Sequence, residues 1–319
     1  MIQCRGVCAW LVALALCIAA SGNGTSKAAS RNQESREYTI RTTSRLVLLD
    51  VSVKDSTGGF VSELASQNFK VYEDGKPQQI TQFAHADVPV TVGLVVDESG
   101  SMRRKQPEVI TAALQFIHAS NPQDEIFVIN FNEKPRRGLP DIQLFSDSAE
   151  QLRAALWRGV PEGRTALYDA IEMALHQLDY GRRDKKTLIV ISDGGDNVSA
   201  NKLQAVMHDV LDSVATIYTI GIFDEDDPDR NPGVLNRLAH VSGGNAYFPK
   251  KLEEIVPICR VIARDIRTRY TIGYIPRVEN RISERHIKVA ARSENGQKLI
   301  VRTRASYLFT PDTDEAQRK

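Results

Sequence analysis

The order of apolar and polar residues divides the chain into an α/β block and two β flanks. Between about Val88 and Arg267, short apolar runs alternate with segments in which apolar residues recur every three or four positions. Such runs are typical of buried strands, and such segments of amphipathic helices. This alternation predicts an α/β fold with a doubly wound, mostly parallel sheet and helices on both faces.

The same pattern places the individual elements of the α/β block. We expect strands at Val90–Val96, Ile126–Phe131, Thr187–Ile191, Thr216–Ile222 and Ala246–Phe248. We expect helices around residues 110–117 and 152–156, and at Leu167–Leu178, Leu203–Val214, Pro232–His240 and Leu252–Ile266. The apolar runs are rich in β-branched residues and show no polar alternation, which favours strands buried on both faces.

The two flanks, residues 45–87 and 268–310, show the strict apolar and polar alternation of half-buried strands. Asp74-Gly75 and Asn295-Gly296 are turn pairs of the kind that connects hairpins. Each flank is too small to bury a core of its own. We therefore expect the flanks to pair as the two halves of a small β-sandwich, into which the α/β domain, residues 88–267, is inserted.

The first residues have the features of a targeting signal. Arg5 precedes an apolar run, Val7–Ala20, that is shorter than the roughly 20 residues a membrane helix needs, and small residues follow it. Residues 1–21 are therefore predicted to be a signal peptide that directs export to the periplasm or the extracellular space. An uncleaved anchor is the alternative, because the small residues do not form an Ala-x-Ala site. Residues 22–44 are predicted to be a linker and residues 311–319 a disordered tail.

Composition narrows the function classes. The chain has 319 residues, 42% of them hydrophobic, and 41 basic against 40 acidic side chains give a net charge of +1. A sizeable core is therefore possible, and nothing points to nucleic acid or to an anionic membrane surface. After cleavage Cys259 is the remaining cysteine, so no internal disulfide forms. We expect this thiol to be buried on a helix, with a reactive thiol as the alternative.

Candidate metal ligands follow the first strand of the block. Asp97, Ser99 and Ser101 come directly after the run Val90–Val96 and precede a predicted helix. Open α/β sheets bind ligands at the carboxyl ends of their strands. Carboxylate and hydroxyl oxygens are hard ligands of the kind that Mg²⁺ prefers, with Mn²⁺ or Ca²⁺ as alternatives.

Two further segments strengthen the metal hypothesis. Thr165 precedes the predicted helix at Leu167, and Asp193 follows the predicted strand Thr187–Ile191. Taken singly, Asp97 and Ser99 are better explained as caps of the following helix, and Asp193-Gly194 as an ordinary turn after a strand. Taken together they bring three hydroxyls and two carboxylates to one edge of the sheet, which favours a metal site. Glu98 is expected to point along the loop. Asp196 and Asn197 are expected to be turn residues, with a role in shaping the rim of the site as the alternative.

These segments carry a resemblance to a known family. Asp97-x-Ser99-x-Ser101, Gly163-Arg164-Thr165-Ala166-Leu167 and Ile191-Ser192-Asp193-Gly194 occur in this order. Together they resemble the metal-ion-dependent adhesion site (MIDAS) of von Willebrand factor type A (VWA) domains. The resemblance implies that Ser99, Ser101 and Thr165 bind the ion directly, while Asp97 and Asp193 act through water. It also implies an open coordination position for a carboxylate from a partner protein.

Three further stretches are similar to a secreted bacterial group of VWA-related proteins found mostly in acidobacterial genomes. They are residues 68–75 before the α/β block, residues 242–248 within it and residues 270–276 after it. This similarity covers both β flanks as well as the VWA region.

The functional hypothesis that follows is an exported, non-enzymatic protein-binding or adhesion module whose partner offers an Asp or Glu carboxylate. A Mg²⁺-dependent hydrolase is one alternative, because oxygen-ligated metals also activate water. No Gly-x-Ser-x-Gly elbow and no phosphate-binding Gly-rich loop supports it. An accessory subunit of a larger envelope complex is the other alternative. The acidic run at residues 224–229 lacks the spacing of a calcium loop, which favours a solvated loop over a second metal site.

Overall fold

A computed structural model of the protein describes residues 46–223, 230–279 and 281–311. The predicted signal peptide, the predicted linker, the acidic run at 224–229 and all but the first residue of the predicted tail lie outside these ranges. Within them, no helix is both long enough and apolar enough to cross a membrane.

The described part contains strands and helices in the following order. The strands are β1 (Val47–Lys54), β2 (Phe69–Glu73), β3 (Lys76–Gln78), β4 (Ile80–Ala84), β5 (Val90–Asp97), β6 (Glu125–Phe131), β7 (Pro135–Arg137), β8 (Lys185–Ser192), β9 (Thr216–Gly221), β10 (Ala246–Tyr247), β11 (Tyr270–Tyr274), β12 (Ser283–Ala291), β13 (Ile300–Arg302) and β14 (Ser306–Phe309). The helices are α1 (Gln106–Ala119), α2 (Ala149–Leu156), α3 (Leu167–Asp179), α4 (Leu203–Asp212), α5 (Pro232–Ser242) and α6 (Ile255–Arg267).

The central sheet has the strand order β10-β9-β8-β5-β6-β7. All of its pairings are parallel except that of β7, which lies antiparallel at the edge. Every residue of β5, β6 and β9 is buried, as expected of strands that helices cover on both faces. Helix α1 packs against α6, and α3 packs against α4, which in turn contacts α5. The predicted α/β fold is confirmed.

The flanks form two antiparallel sheets, with the orders β13-β1-β11-β4 and β14-β12-β2-β3. Strand β1 from the first flank pairs with β11 from the second, and β2 pairs with β12 in the same way. Alternate residues from both sheets share one core, in which Leu49 and Ile272 meet Val71 and Val289. The prediction that the flanks pair with each other is therefore confirmed, although they are far apart in sequence.

The sheets differ in detail from the hairpins that the sequence predicts. Asp74 and Gly75 do adopt positive φ in a turn, but β2 pairs there only with the short β3, while β4 crosses to the other sheet. The ring of Phe83 on β4 packs against Phe69 and Tyr270, which accounts for the crossing. The turn at Asn295-Gly296 does close a short hairpin, in which Arg292 pairs with Lys298 and the N–H of Leu299 donates to the carbonyl oxygen of Ala291. Beyond this hairpin, β13 pairs with β1 in the other sheet.

Arg269 is buried where the sandwich meets the α/β sheet. Its Nε atom donates to Tyr218 Oη on β9 at 3.1 Å, and its Nη2 atom lies 3.3 Å from Asp265 Oδ2 on α6. The same side chain donates to the carbonyl oxygen of Asp50 on β1. One guanidinium group, 3% exposed, therefore contacts elements of both layers. Cys259 on α6 is buried in the adjoining core, as predicted, and burial raises the pKa of its thiol to about 12.

Candidate metal centre

The first candidate segment begins at the last residue of β5. The Asp97 side chain is 1% exposed, and its Oδ1 atom accepts a hydrogen bond of 2.8 Å from the backbone N–H of Ser99. This bond closes an Asx turn, which reverses the chain directly after the strand. The Oγ atoms of Ser99 and Ser101 lie 3.1 Å apart, so the turn places two hydroxyls side by side.

The third segment lies beside the first because their strands are parallel neighbours. The register pairs Val96 on β5 with Ile191 on β8, so both strands end at the same edge of the sheet. Two hydrogen bonds of 2.6 Å then connect the segments. Ser101 Oγ donates to Asp193 Oδ2, and Ser192 Oγ donates to Asp97 Oδ2. The structure therefore brings both predicted carboxylates into direct contact with serine hydroxyls of the opposite segment.

The second segment is held against both of the others. The N–H of Gly100 donates to the carbonyl oxygen of Gly163 at 3.1 Å. Thr165 and Asn197 exchange two bonds: the Thr165 N–H donates to Asn197 Oδ1, and the Asn197 N–H donates to the Thr165 carbonyl oxygen, each at 3.0 Å. Thr165 is 6% exposed and lies two positions before the first residue of α3. All five predicted residues thus lie in three segments that are hydrogen-bonded at one edge of the sheet.

The charge at this edge suits a cation. Burial, and then the negative charge of Asp193, raise the pKa of Asp97 to about 7. Among the described residues, no Lys, Arg or His forms an ion pair with Asp97. A cation beside Asp97 and Asp193 would offset the repulsion that raises the pKa of Asp97.

The donor set also discriminates between metals. In the three described ranges, no group of three His, Cys, Asp or Glu side chains is arranged to hold a metal ion. A cation at this edge would therefore depend on the hydroxyls of Ser99, Ser101 and Thr165 together with two carboxylates. An all-oxygen set of this kind suits Mg²⁺, Mn²⁺ or Ca²⁺ better than a soft metal that prefers thiolates.

Glu98 does not belong to this donor set. Its side chain is fully buried and forms an ion pair with Arg136 on the edge strand β7. Burial raises the pKa of Glu98, and the charge of Arg136 opposes that shift. The residue therefore ties the first segment to the sheet edge, in agreement with the expectation that it does not face the ion.

Ser192 and Asn197 support the site, although no role was predicted for Ser192 and Asn197 was expected to be a turn residue. Ser192 binds Asp97, and Asn197 fixes the backbone of Thr165. Asp196, also expected to be a turn residue, accepts a bond of 2.9 Å from the N–H of Tyr168 in the first turn of α3. Ser192 belongs to the stretch Ile191-Ser192-Asp193-Gly194, so its position in the sequence did indicate that it lies near the site. The sequence did not indicate which groups Asp196 and Asn197 bind, because their partners lie about 30 positions away.

Comparison with known proteins shows that the candidate metal centre lies in a region similar to a known domain. Residues 92–195, which include all five predicted ligands, match the family model of the von Willebrand factor type A domain. The chain is 28% identical over 167 residues to the uncharacterized protein sll0103 of Synechocystis sp.. That match covers 50% of this chain but 38% of the relative, so the chain spans well under half of that protein.

The fold is shared with a solved structure. A von Willebrand factor type A protein from Catenulispora acidiphila superposes with a TM-score of 0.52 at 15% identity, over 80% of this chain and 78% of that one. Proximal thread matrix protein 1 from the mussel byssus, in a form described with a zinc occupied MIDAS motif, gives a TM-score of 0.46 at 14% identity. That second match covers 58% of this chain and 50% of the mussel protein.

Proposed function

We propose that this chain, which contains a von Willebrand factor type A domain at residues 92–195, is a non-enzymatic protein-binding or adhesion module that depends on a divalent metal ion. The observation that carries the proposal is the bond between Ser101 Oγ and Asp193 Oδ2. It joins two of the three MIDAS-like segments and gathers oxygen ligands at the carboxyl edge of the sheet, where a partner has access.

Each predicted residue has a distinct role in this proposal. Ser99, Ser101 and Thr165 would hold the ion through their hydroxyl oxygens, and Asp97 and Asp193 would act through water. Only two negative charges stand close to a doubly positive ion in such an arrangement, and neither binds it directly. When bound, Mg²⁺ would supply an under-neutralised charge and an open coordination position that an Asp or Glu carboxylate of the partner protein completes.

The remainder of the chain fits an exported module. Residues 45–87 and 268–310 would form the supporting β-sandwich of the VWA region, residues 88–267, and would act as its stalk. The features of residues 1–21 support export to the periplasm or the extracellular space. The acidobacterial-type subgroup stays a prediction, as do the domain boundaries. Mn²⁺ or Ca²⁺ would serve the same role if the physiological ion is not Mg²⁺.

Capture of partners tests this function. The full chain is immobilised and exposed to an envelope and secretome extract from its own organism, with Mg²⁺ or with EDTA. The proposal expects proteins that are retained with Mg²⁺, released by EDTA, and absent when the bait is Ser101→Ala. The exposed Ser62, on the sandwich, provides the matched control Ser62→Ala, which should capture like wild type. Partners that stay bound in EDTA would mean that they do not dock at the candidate metal centre.

A further inference from the structure

A cleft of about 1000 Å³ opens beside the candidate metal centre. Gly100 and Ser101 line one side of it, so the cleft and the metal centre share a wall. The rest of the lining is strongly basic. It includes Arg103, Arg104 and Lys105 from the loop after β5, and Lys250 and Lys251 from the loop after β10. We call this feature the basic cleft.

The topology of the sheet explains why these charges meet. Strands β5 and β10 belong to the same parallel set, so the loops after them emerge at one edge although about 150 residues separate them in sequence. The chain as a whole carries a net charge of only +1. The positive charge of the cleft is therefore a local segregation and does not reflect a basic composition.

Four of these basic side chains have no acidic partner among the residues that the structure describes. Within the described ranges, none of Arg103, Arg104, Lys250 and Lys251 forms an ion pair, and all four are exposed. Arg103 Nε donates to the carbonyl oxygen of Pro161 at 3.0 Å, which orients its guanidinium group beside the centre.

The acidic residues of the lining do not balance this charge. Glu108 and Glu253 also line the cleft, and both are exposed. Among the described residues that line the cleft, the four cations named above outnumber these two carboxylates. Exposed charges of one sign in a concave surface attract an oppositely charged partner and speed its encounter.

We propose that the basic cleft recognises an acidic peptide segment of the partner, on one side of the carboxylate that reaches the metal centre. This inference rests on the proposed function and defines its ligand more narrowly: a stretch with several Asp or Glu residues, not an isolated carboxylate. An extended peptide advances about 3.3 Å per residue, so acidic side chains within a few positions of the coordinating residue face the cleft. The metal centre fixes the register of the segment, and the cleft supplies the additional affinity.

Peptide binding to the immobilised full chain tests the inference by surface plasmon resonance. One probe peptide carries a single Glu in a Gly-Ser background, and the other carries the same Glu followed by four Asp residues. Each is measured with Mg²⁺ and with EDTA. With Mg²⁺ at low salt, we expect the Asp-bearing peptide to bind about tenfold more tightly, and we expect the advantage to shrink as NaCl is raised.

Charge reversal assigns the advantage to the cleft. The triple variant Arg104→Glu, Lys250→Glu and Lys251→Glu should bind both peptides with equal affinity. The control variant Lys70→Glu, Lys76→Glu and Lys288→Glu changes the net charge by the same amount on exposed positions of the sandwich, and it should keep the advantage. Equal binding of the two peptides to wild type would overturn the inference, and so would an advantage that survives in the cleft variant.

The EDTA arm separates this inference from the proposed function. If the single-Glu peptide binds wild type equally well in EDTA, the metal-dependent function fails, whatever the basic cleft does. If that peptide requires Mg²⁺ but the additional Asp residues do not increase the affinity, the metal-dependent function is supported and the basic cleft proposal fails. A tenfold advantage that depends on both Mg²⁺ and the cleft residues supports both.

Discussion

Ser101 and Asp193 are 92 positions apart in sequence, yet Ser101 Oγ donates a hydrogen bond of 2.6 Å to Asp193 Oδ2. The contact exists because β5 and β8 are parallel neighbours and end at the same edge of the sheet. A second bond, from Ser192 Oγ to Asp97 Oδ2, joins the same two segments. The candidate ligands are therefore positioned by the buried sheet and not by the loops alone, which gives the candidate site a rigid support.

Asp97→Asn should stabilise the metal-free protein and abolish its response to metal. Burial and the charge of Asp193 raise the pKa of Asp97, so the ionised carboxylate opposes folding at neutral pH. In EDTA we expect an increase of about 1 kcal/mol in the free energy of unfolding, or roughly 2–4 °C in Tm. Differential scanning fluorimetry with and without Mg²⁺ measures both effects.

The control for this prediction is Asp141→Asn. Asp141 is exposed and lies outside the metal centre. Its removal should change neither the Tm in EDTA nor the increase in Tm that Mg²⁺ gives wild type. A variant Asp97→Asn that melts below wild type in EDTA and still responds fully to Mg²⁺ would contradict the account.

Gly163→Ala should weaken metal binding by a backbone effect. Gly163 has a φ of +77°, and its carbonyl oxygen accepts the N–H of Gly100. Residues with a side chain are strained by about 1 kcal/mol or more at such φ. Relief of that strain would displace the Thr165 segment from the Ser99–Ser101 turn. We expect urea unfolding to show the loss of stability, and a Mg²⁺ titration to show a several-fold weaker affinity.

Gly58→Ala is the matched control for Gly163→Ala. Gly58 has a φ of +87°, and no atom lies within 4 Å of an added Cβ, but it lies in the turn after β1 in the sandwich. The variant should lose a similar amount of stability and keep wild-type affinity for Mg²⁺. Equal effects of the two variants on affinity would show that the Gly163 turn has no special role in the site.

Asp265→Asn should destabilise the protein at neutral pH and much less in acid. Burial alone would raise the pKa of Asp265, but Arg269 and the hydroxyl of Tyr218 hold it below its ordinary value. A carboxylate with a lowered folded-state pKa contributes stability above the unfolded value, near 4, and loses it as the pH falls through the folded value. At pH 7 we expect a loss of about 3 kcal/mol, because Arg269 is left buried without its partner.

Urea unfolding at pH 7 and at successively lower pH values below about 4 measures this difference. The gap between wild type and Asp265→Asn should close as the pH falls. Asp87→Asn is the control, because Asp87 pairs with Arg267 with 54% of its side chain exposed, and its loss should change stability by less than about 1 kcal/mol. A gap that stays constant with pH would mean that the pKa of Asp265 is the same in the folded and the unfolded protein.

The α/β fold is predictable from sequence for a physical reason. Strands such as β5 and β8 are buried on both faces, so their sequences are continuous apolar runs that stand out from the helical periodicity around them. The edge strand β7, Pro135–Arg137, carries no apolar signal and was not predicted. The crossings of β4 and β13 between sheets were also missed, because alternation indicates a strand's buried face but not its partner.

The candidate site also has a part that the sequence predicts and a part that it does not. Asp97, Ser99, Ser101, Thr165 and Asp193 could be brought together from sequence because each follows a strand or precedes a helix in a parallel sheet. The contacts that support the site could not be predicted from the sequence. Arg136 binds Glu98 from a strand without an apolar pattern, and Asn197 fixes Thr165 across 32 positions. The basic cleft was missed too, because the loops that form it are far apart in a chain of nearly balanced charge.

Isothermal titration calorimetry with Mg²⁺ or Mn²⁺ tests the metal centre most directly. The full chain, freed of metal with chelator, should bind one ion per molecule. Ser101→Ala and Asp193→Ala, on two different segments, should each abolish that binding, while Ser62→Ala on the sandwich should bind like wild type. Unchanged stoichiometry and affinity in both Ser101→Ala and Asp193→Ala would contradict a metal site at this edge of the sheet.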